Sequence, residues 1–169
     1  MKYSIVLVSC VLAASLGCNQ NRPSYKDAVQ SGLKQADLTD VSVSEDISKS
    51  TITLTGTLHS DADKTKAGEI AQTNAPGDTV ANEISVQIVG SESESKDIAS
   101  NLDDGIEKNF KAAMISTRLN KQDISYKAKN GVLTLTGSVK HADQKSQAQA
   151  IASKIPNVQQ VVDQIEVKR

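Results

Sequence analysis

The chain has 169 residues, 23% of them charged, with a formal net charge of −1. It contains no Trp, and beyond residue 18 its aromatic residues are Tyr25, Phe110 and Tyr126. That is too few for the aromatic platforms on which nucleic-acid bases stack, so nucleic acid is not an expected partner. The cysteines are Cys10 and Cys18, so cleavage ahead of Cys18 would leave no thiol for an internal disulfide.

The chain begins as a secretion leader: Lys2 precedes the apolar runs Ile5–Val8 and Val11–Ala14, and Ser15-Leu16-Gly17-Cys18 follows. The apolar stretch is too short to span a bilayer as a helix. The ending resembles a bacterial lipobox, which implies a signal peptide over 1–17 and a mature chain starting at a diacylated Cys18. Ser15 stands where a lipobox usually has an aliphatic residue, so ordinary cleavage near Ala14, with Cys18 free, stays open. Residues 18–25 read as a polar tether.

Beyond the tether, residues 27–88 and 108–169 are two copies of one unit, offset by 81 positions with no gap. Thr53-Leu54-Thr55-Gly56 recurs as Thr134-Leu135-Thr136-Gly137, and Ala67, Ile70, Ala71, Val80, Ile84 and Val86 as Ala148, Ile151, Ala152, Val161, Ile165 and Val167. The shared positions are mostly apolar, so what repeats is a fold rather than a cluster of chemical groups. The expected organisation is a first domain over 26–88, an acidic, serine-rich linker over 89–103 and a second domain over 104–169. Domains this small bury little surface, and the copies are expected to pack on one another or on a partner.

Each copy reads as helix, strand, strand, helix, strand. In the first, Ser60 with Asp63 three residues on marks a helix start, and Pro76-Gly77-Asp78 marks its stop. In the second, Ile106, Phe110, Ala113, Met114 and Thr117 form an apolar stripe at helical spacing. Ile124–Ala128 and Val132–Val139 then form a hairpin about Asn130-Gly131. A helix with Ala148, Ile151, Ala152 and Ile155 on its buried face ends at Pro156-Asn157, and residues 158–167 supply the last strand. Gly56 and Gly137 lie within strands and mark a bulge or a close backbone approach by the following helix. The fold class is α+β, with the helices of each domain on one face of a three-stranded sheet.

The strand Thr-Leu-Thr-Gly-(Ser/Thr)-(Val/Leu), the helix Ala-x-x-Ile-Ala and the closing run Ile155–Val167 resemble the BON domain, a module of bacterial envelope proteins. Asn157 stands where that family usually has glycine. Two such domains behind a lipobox resemble outer-membrane lipoproteins that support envelope integrity and bind anionic phospholipid through the first helix of the second domain. The resemblance implies no catalysis and no cofactor. Asn19 after the cysteine implies release to the outer membrane, facing the periplasm.

Charge bears on the implied lipid site. Residues 27–88 hold 4 Lys/Arg against 10 Asp/Glu, a charge of −6, whereas residues 108–169 hold 11 against 4, a charge of +7. A helical wheel places Lys108, Lys111, Ile115 and Arg118 on one face opposite Phe110 and Met114, with Lys121 just beyond. Such a face suits an anionic bilayer surface. Docking of the basic copy on the acidic one, an envelope protein partner, and an ordinary solvated face stay open. A periplasmic chaperone or adaptor is the alternative function. No catalytic constellation is legible: His59 and His141 read as surface residues at helix starts, and Asp61, Asp63, Asp103 and Asp104 as helix-dipole partners rather than metal ligands.

Overall fold

Each copy folds around a hairpin. The computed structural model describes residues 22–168; the leader and Cys18 lie outside the described residues. In the first domain, α1 (Lys26–Gln35) leads into β1 (Val41–Asp46) and β2 (Thr51–Leu58). Then come α2 (Asp61–Asn74), β3 (Thr79–Asn82) and β4 (Ser85–Val86). The second domain repeats the plan with α3 (Glu92–Ser116), a single 3-10 turn (Leu119–Lys121), β5 (Asp123–Lys129), β6 (Val132–Val139), α4 (Ala142–Ala152) and β7 (Gln160–Val167).

In each sheet the central strand pairs antiparallel with the first strand and parallel with the last. The last strand of the first domain is broken between β3 and β4, yet both pieces keep one register against β2, Thr51 facing Thr79 and Thr57 facing Ser85. Ile84, in the break, is fully buried. Alternation sends one face of each strand pair toward the helices. Val29, Leu33, Ile52, Leu54 and Ala71 build the first core, and Phe110, Met114, Leu133, Leu135 and Ala152 the second.

The helix starts and stops follow the local chemistry. Ser60 Oγ accepts the Asp63 N–H at 3.1 Å, capping α2. The hairpin turn Asn130-Gly131 has φ of 48° and 81°, as a two-residue primed turn requires. Asn157 has φ 68°, so asparagine does there what glycine does elsewhere, tolerating the left-handed region. α4 ends at Ala152, ahead of the expected stop, where the chain tightens into three-residue turns, the Lys154 N–H bonding Ile151 O and the Ile155 N–H bonding Ala152 O.

Three expectations need correction. The repeat is not gap-free: Val41 faces Gly56 while Ile124 faces Gly137, so the first strands correspond at an offset of 83. Two extra residues precede β5, and β1–β2 has a four-residue loop where β5–β6 has two. The close approach at Gly56 and Gly137 comes from the neighbouring strand, not from the following helix. A Cβ there would stand 2.2 Å from Asp40 O and 2.1 Å from Asp123 O. Finally, the acidic linker is helical from Glu92 and continuous with the first helix of the second domain.

The tether, too, is bound where it is described. Arg22 Nη1 and Nη2 donate to Asp78 Oδ1 and Oδ2 at 2.5 and 2.7 Å, and Nη2 to Glu45 Oε1 at 3.1 Å. Glu45 also accepts from Ser24 Oγ and from the N–H groups of Tyr25 and Lys26, so β1 lends a carboxylate to the start of α1. Burial pushes the Glu45 carboxyl up, but the Ser24, Tyr25 and Lys26 hydrogen bonds and Arg22 outweigh it and hold the group below its ordinary range.

The two domains meet along β3 and β7. Ala81, Val132 and Val162 form a small buried cluster between them. The Gln160 amide bridges the edges, donating to Val80 O and accepting from Asn82 N. Asn130 Nδ2 donates to Glu83 O at 2.8 Å, Gln164 Nε2 to Thr51 Oγ1 at 3.1 Å, and Lys129 pairs with Glu83 at 3.1 Å. The acidic and basic copies do touch, but amides and backbone groups make most of that contact.

Candidate functional site

Helix α3 carries Lys108, Lys111 and Ile115 of the residues expected to face lipid, and its inner row explains how they are held. Ile106, Phe110 and Met114 recur every fourth residue and are buried, with the Phe110 ring edge-on to Tyr126 at 5.0 Å and 74°. Two carboxylates pin the helix to the hairpin. Asp103 Oδ2 and Oδ1 accept from Asn130 N at 2.7 Å and Gly131 N at 3.0 Å. Glu107 Oε1 accepts from Ala128 N at 3.0 Å and pairs with Lys127 at 2.9 Å. Burial raises the Glu107 carboxyl, but the Ala128 N–H and Lys127 prevail and hold it low. Sequence reading missed both roles. The available signal was an acidic residue one turn ahead of Ile106 and another one turn ahead of Phe110, but nothing in the sequence says which backbone groups they meet.

The outward side presents Lys108, Lys111 and Ile115, all exposed, with Ile115 at 53%. Arg118 is not on the helix: α3 ends at Ser116, and Arg118 has φ 61°, a left-handed residue ahead of the 3-10 turn. Its side chain is exposed beyond the carboxyl end of α3, with Leu119 buried next to it and Lys121 exposed at the end of the turn. Among the described residues none of Lys108, Lys111, Arg118 and Lys121 joins an ion pair, unlike Lys127, Lys129, Lys145 and Lys168.

A cleft of about 270 Å³ between the domains is lined by Asp61, Lys64, Leu102, Asp103, Asn130 and Gln159. Burial pushes the Lys64 ammonium down against the pull of Asp61 and Asp103, and its Nζ donates to Asn130 O at 3.3 Å. With Asp103 already bonded to the hairpin turn, the cleft is a seam between domains stitched by its own side chains. His59 is exposed and its Nδ1 lies 3.0 Å from Gln87 O; His141 is exposed at the start of α4. No group of three His, Cys, Asp or Glu among the described residues is placed to hold a metal. No helix among them is long and apolar enough to cross a membrane.

The family model of the BON domain matches residues 24–88 and 102–169, and the chain belongs to that family. BON domains are known for binding phospholipid or envelope proteins and are generally non-catalytic, which supports a non-enzymatic envelope role. No curated protein matches the chain. A solved structure described as the C-terminal domain of CdsD, the structural protein of the type III secretion system of Chlamydia trachomatis, is 14% identical. The match covers 85% of this chain and 67% of that one, with a TM-score of 0.33.

Proposed function

We propose that this chain is an envelope lipoprotein, acylated at Cys18 and held on the periplasmic side of the outer membrane, whose second BON domain docks on anionic phospholipid and so supports envelope integrity. The observation that carries the proposal is the set of unpaired cations Lys108, Lys111, Arg118 and Lys121 around the half-exposed Ile115. Each cation near anionic headgroups contributes about 1 kcal/mol. Four give at most about 4 kcal/mol, or roughly millimolar binding. That is weak alone, and an acyl anchor makes it sufficient by turning a bimolecular encounter into a local one.

Sedimentation with vesicles tests this. A soluble chain of residues 19–169 is expected to pellet with vesicles containing anionic lipid and not with neutral ones, with binding fading as salt rises. Changing Lys108, Lys111 and Arg118 together to Ala is expected to abolish it. Unchanged binding by that variant, or none by the parent chain, would sink the proposal.

A second reading has its own observation. Ile88, Val89 and Ile98 are 70%, 72% and 60% exposed, apolar surface of the kind that takes a protein partner. Under the chaperone or adaptor alternative, binding to an unfolded client persists at high salt, where headgroup binding does not.

A further inference from the structure

Helix α3 is 25 residues long where α1 has 10, and its buried residues begin only at Ile106. The first three turns therefore bury nothing fully, and an exposed helix of that length is marginal by itself. Its outward row alternates spacings of three and four: Glu94, Asp97, Asn101, Asp104, Lys108 and Lys111, every one exposed and none in an ion pair or a side-chain hydrogen bond among the described residues. That spacing runs along one side of the helix, as the seam of a two-helix coiled coil does, but it is lined by charged and polar residues rather than by the apolar residues of such a seam.

The charges along the seam are complementary end to end. Glu94 and Asp97 stand at one end and Lys108 and Lys111 at the other, with Asn101 and Asp104 between them, so a parallel pair would set like charge against like. In an antiparallel pair with its two-fold axis midway between residues 102 and 103, Glu94 faces Lys111, Asp97 faces Lys108 and Asn101 faces Asp104, each twice by symmetry. Ile98, exposed at 60%, lies beside the seam. The arrangement uses the same patch on both copies and closes at two.

We propose that α3 pairs antiparallel with α3 of a second copy of this chain, forming a two-fold dimer. The pairing engages Lys108 and Lys111, so a dimer withholds from a bilayer two cations of the proposed lipid surface; the pairing itself does not rest on the lipid reading.

Sedimentation equilibrium tests it on residues 19–169, which retain both cores and the Arg22 contacts. The parent chain is expected to dimerise with concentration at low ionic strength and to dissociate as salt is added. Glu94→Lys with Asp97→Lys is expected to weaken the dimer by about tenfold or more. Adding Lys108→Glu and Lys111→Glu to that variant should restore it, which a merely unfolded variant would not show. A single-chain mass at every concentration, a dimer indifferent to the first swap, or no recovery in the fourfold swap at unchanged helicity overturns the proposal. A salt-sensitive dimer without vesicle binding would sink the lipid reading alone; vesicle binding by a strict monomer would sink this one alone.

Discussion

At the scale of single residues, two positions hold the fold by means a composition count hides. Gly137 has φ 102° and Asp123 O stands 2.1 Å from where its Cβ would be, so any side chain both strains the backbone and collides with backbone. Gly77 has φ 90° with nothing within 4 Å of that point, so only the first cost applies. We expect Gly137→Ala to lower stability by about 3 kcal/mol and Gly77→Ala by about 1 kcal/mol in urea unfolding; equal losses would refute the collision. The second position is Arg22, whose side chain is 11% exposed over Asp78 and Glu45 at 2% and 3%. Arg22→Ala strands two carboxylates and should cost about 2 kcal/mol at neutral pH, less than for a fully enclosed pair because the guanidinium reaches water. Because the folded Glu45 carboxyl titrates low, its stabilisation is present above the unfolded carboxylate range and lost as pH falls through the folded value. The gap between parent and variant should therefore narrow below about pH 4, and urea midpoints across pH showing a constant gap would count against the clamp.

Among elements, α3 shows what could be read from the chain and what could not. The row Ile106, Phe110 and Met114 repeats every fourth residue, so its helix and buried face were legible, as were the Thr-Leu-Thr-Gly strands and the Asn130-Gly131 turn. The helical extension over Glu92–Gly105 was not, because serine and acidic residues in a polar run satisfy a linker pattern as well as a solvated helix. Arg118 was assigned to the helix face by extending the wheel, but the chain leaves the helix at Ser116 through a left-handed residue that usually is glycine or asparagine. The compensating two-residue shifts on either side of β1 escaped for a related reason: an insertion before the strand and a deletion after it restore the offset of 81, and only strand pairing exposes them. Of the candidate surface, Lys108, Lys111 and Ile115 were placed by periodicity. The Asp103 and Glu107 contacts that orient them are long-range and leave no periodic trace.

In the whole molecule, the two domains form one structure because their sheet edges meet. β3 and β7 are the last strands of their sheets, and an open edge offers unpaired backbone groups to any passing strand. Here the Gln160 side chain bonds the backbone of β3 at Val80 and Asn82, so each edge is shielded by the other domain rather than by continuing the sheet. Units of this size bury too little surface to be robust alone, so the contact should couple their unfolding. The parent chain is expected to melt in one calorimetric transition. Gln160→Ala removes two cross-domain hydrogen bonds, a loss of about 2 kcal/mol, and with Lys129→Ala, which removes the ion pair to Glu83, should split the melt into two. The acidic first domain should then respond differently to salt from the basic second, since each carries its own uncompensated charge. A single transition in the double variant would mean that Ala81, Val132 and Val162 suffice to hold the domains together, and that the polar bridge fixes their alignment rather than their union.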